Sequence, residues 1–111
     1  MYHKNLSDSI NANLNSPGAN EEGFFFKEGK VIVYTKNSRY ELEYEGEQCY
    51  AQGGEYFLKR TPVIFNGSTW DDSMIKLKWI GAGMHLEISY NCNGEPKCLT
   101  TSAIQSWISP R

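Results

Sequence analysis

Met74-Ile75-Lys76-Leu77-Lys78-Trp79-Ile80-Gly81-Ala82-Gly83-Met84-His85-Leu86-Glu87-Ile88-Ser89-Tyr90 is the stretch that decides the fold class. Ile75, Leu77 and Trp79 interleave with Lys76 and Lys78; past the glycines, Met84, Leu86, Ile88 and Tyr90 interleave with His85, Glu87 and Ser89. A period of two belongs to a strand with one face in a core and one in water. The apolar set is odd-numbered before the glycines and even-numbered after them, so facing positions must sum to an odd number. A two-residue loop Gly81-Ala82, with glycine first as a type II′ turn requires, satisfies that parity. It predicts Leu77 opposite Leu86 and Ile75 opposite Ile88 on the core face. On the wet face it sets Lys76 against Glu87 and Lys78 against His85.

Outward from this stretch the chain reads as more strands broken by turns. Phe24–Phe26 is a short apolar run, Val31–Lys36 is β-branched and aromatic, and Asn37-Ser38 makes a turn. Arg39–Glu45 alternates Tyr40, Leu42 and Tyr44 with Arg39, Glu41, Glu43 and Glu45. Glu47–Gln52 runs to Gly53-Gly54. Tyr56–Leu58 and Val63–Phe65 read as two short strands split by Arg60-Thr61-Pro62, Asn91–Pro96 as a polar loop, and Lys97–Ile108 as one bent or two short strands. Turn signals at this spacing, with no helical period, predict an all-β domain: a small antiparallel barrel or sandwich of about seven strands over residues 23–111. Residues 1–22 differ. They are rich in Asn and Ser and broken at Ser16-Pro17-Gly18, which predicts a flexible or docking arm, with a short helix through Leu6, Ile10 and Leu14 as the alternative.

A chain of 111 residues is long enough for one independent core. Its net charge of −2 gives no global attraction to nucleic acid or to an anionic membrane. No apolar run reaches the length of a membrane-spanning helix or a signal peptide, so cytoplasmic residence is the default expectation. No phosphate-binding glycine loop is present: Gly53-Gly54 and Gly81-Ala82-Gly83 read as turns.

The residues able to do chemistry are few. Cys92 and Cys98 are separated by five residues, outside the usual zinc spacing; they could close a loop in an oxidising setting, or join His85 at a metal, but thiols without function are the better reading. No metal and no cofactor are expected. Glu41, Glu43 and Glu45 form an acidic stripe that reads as a solvated strand face, with a carboxylate-based hydrolase as the alternative. Aromatic residues are in surplus for so small a core, and those near polar loops could stack a base or sugar. If Asn37-Ser38 is a two-residue loop, Ile32 and Tyr34 face outward beside Glu43 and Glu41. That patch must be covered by Phe24–Phe26, by a second subunit or by a partner. The interface candidates are Ile32, Tyr34, Glu41, Glu43, Trp70 and Trp107.

Thr35-Lys36-Asn37-Ser38-Arg39-Tyr40-Glu41-Leu42 and Thr101-Ser102-Ala103-Ile104-Gln105-Ser106 together resemble a pattern of small uncharacterised bacterial and phage all-β proteins: a T-x-N-S-x-Y-E-L hairpin and a closing T-S-x-I/V-x-S strand. No activity comes with that resemblance; it implies a mobile-element or accessory protein. The functional expectation is a non-catalytic binding module that engages a host protein or a second copy of itself, or sequesters a small polar or nucleotide ligand. Single-stranded nucleic-acid binding on an aromatic face is the further alternative.

Overall fold

The β-branched and aromatic runs all become strands. The computed structural model describes residues 22–70 and 74–109, together with the backbone of Tyr2–Asn5. Its strands are β1 (Tyr2–Asn5), β2 (Gly23–Phe25), β3 (Lys30–Thr35), β4 (Arg39–Glu45) and β5 (Gln48–Gly53). They continue with β6 (Phe57–Trp70), β7 (Met74–Leu77), β8 (Trp79–Gly81), β9 (His85–Cys92) and β10 (Glu95–Ser109). Among the described residues there is no helix.

Six of these strands close into an antiparallel barrel. β3 pairs β4, β4 pairs β5, and β5 pairs the first half of β6. β9 then joins the second half of β6 to the first half of β10, whose second half returns to β3. β6 and β10, at 14 and 15 residues, each serve two neighbours in turn. Bulges bend them at the handover, between Phe65 and Gly67 in β6 and between Thr100 and Ala103 in β10. A bulge inserts an unpaired residue and sharpens the local twist, which is how a flat ladder turns a corner. Along the edge of β6 that β5 vacates lies β7, and beside the end of β10 lies β1.

The inward positions fill the barrel. Val31, Val33, Leu42, Ala51, Phe65, Leu86, Ile88, Ile104 and Trp107 have no exposed surface, and Phe57 has almost none. Each large side chain removed from water contributes about 1.5–3 kcal/mol. One mouth is closed by the β2/β8 ribbon, in which Phe24 pairs Ile80. From this ribbon Phe26 packs on Tyr44 and Phe65 with ring centres 5.1 and 5.9 Å away, and Phe24 packs on Trp107 at 5.7 Å. Nζ of Lys78 reaches under the ribbon and donates to the Phe65 carbonyl at 3.0 Å.

Several expectations are corrected. The 74–90 hairpin does not form. Lys78 takes a left-handed backbone conformation (φ 62°), which ends β7 and turns the chain into β8. β7 therefore pairs Gly67–Trp70 of β6, β8 pairs β2, and β9 pairs β6 and β10. Leu86 and Ile88 face the core as expected, whereas Leu77 is 65% and Ile75 40% exposed. Tyr56–Leu58 and Val63–Phe65 are not two separate strands; β6 runs unbroken through Pro62. Asn91–Pro96 is a tight hairpin, not a loop: Asn93 and Gly94 both have positive φ (55° and 86°), as a type I′ turn requires. Of the expected arm, Tyr2–Asn5 adds to the sheet as β1; residues 6–21, and with them the helix through Leu6, Ile10 and Leu14, lie outside the described residues.

Candidate functional site

With the interior filled, the exterior is where a ligand can be held. A concavity lies where β6 and β9 part company. Their ladder stops at Ile64 opposite Ser89. In continued register Val63 would face Tyr90 and Pro62 would face Asn91, and neither pair forms. Thr61, Pro62 and Val63 remain bound to β5, opposite Ala51, Tyr50 and Cys49. Tyr90, Asn91 and Cys92 remain bound to β10, opposite Lys97, Pro96 and Glu95. The wall is thus split, and the split is a groove of about 420 Å³.

Two prolines stand at the split. Proline brings no N–H to a ladder and is confined to strand edges and bulges. Pro62 lies on one bank, Pro96 backs the other across the β9–β10 pair, and both line the groove. Gln48, Thr61, Ser89 and Asn91 supply amides and hydroxyls, and Val63, Ile64 and Tyr90 supply apolar surface. Tyr90 is held edge-on by Phe57 at 5.1 Å. The carboxamide of Gln48 donates to the carbonyls of Cys49 (2.8 Å) and Val63 (3.0 Å). Asn66 donates its side-chain amide to the Ser89 hydroxyl at 2.8 Å. The lining carries no carboxylate, amine, imidazole or thiol. No sequence signal marks this groove beyond the two prolines, because the split arises from strands far apart in the chain.

The residues singled out from sequence lie elsewhere. Ile32 and Tyr34 are half-buried on the outer face, opposite Glu41 and Arg39 on one side and Ile108 and Ser106 on the other. Phe24 and Phe26 do not cover them, since those rings turn into the barrel mouth. Trp107 is corrected: it is wholly buried at the centre of the core and has no face to offer a partner. Its indole N–H finds no acceptor among the described residues, a cost its large buried apolar area offsets. Trp70, opposite Met74 at the end of the β6–β7 ladder, is half-buried.

Glu41 and Glu43 belong to a ladder of ion pairs on the outer face of β4. Lys30 approaches Glu41 at 2.8 Å and Arg39 approaches it at 3.5 Å. Arg60 lies 3.8 Å from Glu43 and 3.4 Å from Glu45, its guanidinium stacked 3.7 Å above the Tyr50 ring. The hydrogen bond from Lys30 holds the Glu41 carboxyl below its usual range, and the same bond raises Lys30. A carboxyl so held stays ionised and is not a proton donor at neutral pH. His85 is held by its ring Nδ1 against the Thr101 carbonyl at 2.7 Å. Among the described residues no three His, Cys, Asp or Glu side chains converge as a metal site would need.

Three exposed apolar residues lie on β7, Met74 at 74%, Leu77 at 65% and Ile75 at 40%; Phe25, Tyr56, Leu58 and Ile64 are exposed elsewhere on the barrel. Beneath β7, Lys76 sits 3.8 Å above the Trp79 ring, which in turn meets Phe25 edge-on at 4.9 Å. Among the described residues no helix is long and apolar enough to cross a membrane. No family model, no curated protein and no solved structure matches the chain.

Proposed function

We propose that this protein is a non-catalytic binding module that holds its ligand on the outer wall of the barrel, in the groove between Thr61–Ile64 and Ser89–Asn91. The observation that carries this is the split itself: about 420 Å³ of concave space lined by amides, hydroxyls, one tyrosine and two prolines, on a barrel whose interior is already full. Ligand sites are typically concave, largely apolar and fixed by a few polar groups, at roughly 300–1,000 Å³. Apart from Tyr90, nothing in the lining titrates, so it offers recognition without a general acid or base. An uncharged ligand fits this lining better than a nucleotide, whose phosphates would meet no cation. In the accessory or mobile-element setting that the sequence resemblance implies, the natural source of such a ligand is a host protein.

An amide NMR titration with a mixture of small uncharged polar fragments tests this. Shifts should cluster at Thr61, Val63, Ser89, Tyr90 and Asn91. Shifts confined to the Glu41/Glu43 ladder, or none at all, would overturn the assignment of the groove.

A second function, self-association through β7, is favoured by one observation: an edge strand carrying Met74, Ile75 and Leu77 at 40–74% exposure. Unpaired strand edges with apolar side chains are templates for pairing. Light scattering of the purified protein, wild type against Leu77→Asp, tests it: a dimer that becomes a monomer supports the edge, and a monomeric wild type removes it.

A further inference from the structure

We infer that the groove takes a neutral pyranose ring, free or at the end of a glycan chain; this rests on the groove being the ligand site. The hydrogen bonds behind the lining fix what each polar side chain has left to offer. A carbonyl oxygen only accepts and an amide N–H only donates, so the direction of each bond is chemically forced. The Gln48 carboxamide gives its N–H groups to the carbonyls of Cys49 at 2.8 Å and Val63 at 3.0 Å, which leaves its Oε1 as an acceptor. The Thr61 hydroxyl gives its proton to the Lys59 carbonyl at 2.8 Å and keeps its lone pairs. Ser89 is the opposite case: its hydroxyl accepts from the Asn66 amide at 2.8 Å and keeps its proton. Asn91, exposed further along β9, offers both a donor and an acceptor. Among the described residues these remaining groups have no other partner.

The groove therefore presents acceptors on its β5–β6 side and a donor on its β9 side, with Asn91 able to play either part. An occupant must donate on one side and accept on the other. It must also be uncharged, since the lining holds no counter-charge to replace its lost water. A hydrocarbon would leave Gln48, Thr61 and Ser89 unpaired. A hydroxyl is donor and acceptor at once, so a ring with a hydroxyl on most of its carbons meets both sides. The C–H faces of that ring supply the apolar half, for which Pro62, Ile64, Tyr90 and Pro96 provide surface. The Tyr90 ring is already held against Phe57 at 5.1 Å, and Gln48, Thr61 and Ser89 are held by the bonds just described. Side chains fixed in advance lose little freedom when the ligand arrives.

The test is an amide NMR titration of the full chain with the methyl pyranosides of glucose, galactose, mannose and N-acetylglucosamine, and with a trisaccharide of each. One of these should shift the amides of Thr61, Ser89, Tyr90 and Asn91, and glucuronic acid should leave them unmoved. A trisaccharide that binds more than about tenfold tighter than its methyl pyranoside identifies a glycan end as the occupant, and equal affinity a single ring. Monodeoxy analogues of the binder then read the polarity. Each lost hydrogen bond should weaken binding about two- to tenfold. One deoxy position should lose its effect in Ser89→Ala and another in Thr61→Val, because a bond already removed from the protein is not lost twice. Fluorine in place of a hydroxyl should be tolerated only at the position facing Ser89, since fluorine accepts but does not donate. That comparison uses wild-type protein and stands even if a variant fails to fold. Leu58→Ser, on β6 outside the groove and 86% exposed, should bind as wild type does. Fluorine equally harmful at every position, or glucuronic acid bound as tightly as the neutral sugars, would overturn the inference. If small uncharged amide fragments move the groove amides but no saccharide does, the sugar is lost and the groove remains a ligand site. If neither moves them, both are lost.

Discussion

Ser102 donates its hydroxyl to Oγ1 of Thr35 at 2.9 Å, joining two segments 67 residues apart in sequence. The same Thr35 oxygen donates to the Ser38 carbonyl and accepts from the Ser38 amide, each at 3.1 Å, while Ser102 accepts from the Asn37 amide at 3.0 Å. Two backbone amides of the β3–β4 turn are thereby satisfied by side chains. One hydroxyl belongs to the turn and the other to the closing strand, so the T-x-N-S and T-S parts of the sequence pattern form one latch. Thr35 is 5% exposed, which makes its partners costly to orphan.

The latch gives the first prediction. Thr35→Val keeps shape but leaves the Ser38 amide and the Ser102 hydroxyl without their acceptor. It should cost about 1–3 kcal/mol in urea unfolding. Ser102→Ala should cost less, since Asn37 is exposed and water can replace the lost acceptor. A Thr35→Val protein as stable as wild type would show that the latch contributes nothing net.

Leu77 and Leu86 separate two architectures. In the sequence-derived hairpin both face the core; in the structure Leu86 is fully buried and Leu77 is 65% exposed. Leu86→Asp places an unpaired charge inside the barrel and should leave no cooperative thermal transition. Leu77→Asp should shift stability by less than about 1 kcal/mol. Equal damage from the two would restore the hairpin.

How much the sequence carried is clearest in the parity of strand faces. A two-residue Asn37-Ser38 loop sets Ile32 beside Glu43 and Tyr34 beside Glu41, and with them Val33 opposite Leu42. The observed turn spans Thr35–Ser38, and Val33 sits opposite Tyr40. The register moved by two, so every side chain kept its face and the outward position of Ile32 and Tyr34 survived. The alternation of Met74–Ile80 misled because it runs smoothly through Lys78, and a lysine with positive φ leaves no mark in a sequence. Trp107 counts among the aromatics in surplus for so small a core when read from sequence; only the return of β10 to β3 places it at the centre. The groove depends on where β6 leaves β9, which is set by pairing partners far apart in the chain.

Gly67 shows how β7 is seated. Its φ is 144°, and a Cβ there would lie 2.2 Å from the Lys76 carbonyl oxygen. Gly67→Ala should therefore push β7 off β6, cost about 1–3 kcal/mol, and speed amide exchange at Lys76 and Leu77 more than at Ile88. Uniform change across all three amides would mean that the glycine supports the barrel as a whole and not the edge strand.

The Lys30–Glu41 pair sets a pH dependence. The Glu41 carboxyl lies below its ordinary value, so its contribution is present above the unfolded carboxylate pKa, near about 4.3, and is lost as pH falls through the folded value. Raised Lys30 acts in the opposite sense: its contribution is present below about 10.4 and is lost as pH rises through the folded value. Both side chains meet solvent, at 38% and 27% exposure, so the pair should be worth less than about 1 kcal/mol. The gap in melting temperature between wild type and Glu41→Gln should be small at neutral pH and close below about pH 4 or in molar salt. A gap that survives high salt would point to packing, not charge.

The three cysteines should divide by environment. Burial pushes the Cys49 thiol up to about 11, while Cys92 and Cys98 are exposed on the β9–β10 hairpin. The thiolate is the reactive form, so at about pH 8 Cys49 is both shielded and almost wholly protonated. A chromogenic disulfide reagent added to the reduced, native protein should titrate two thiols within minutes and the third only after denaturant is added. Cys49→Ala should leave the native count unchanged and remove the late thiol. Cys98→Ser should lower the native count by one, with little effect on stability, because its side chain lies outside the core. Three fast thiols in the native protein would mean that the barrel wall beside Cys49, which pairs with Val63 on the bank of the groove, opens readily enough to admit the reagent.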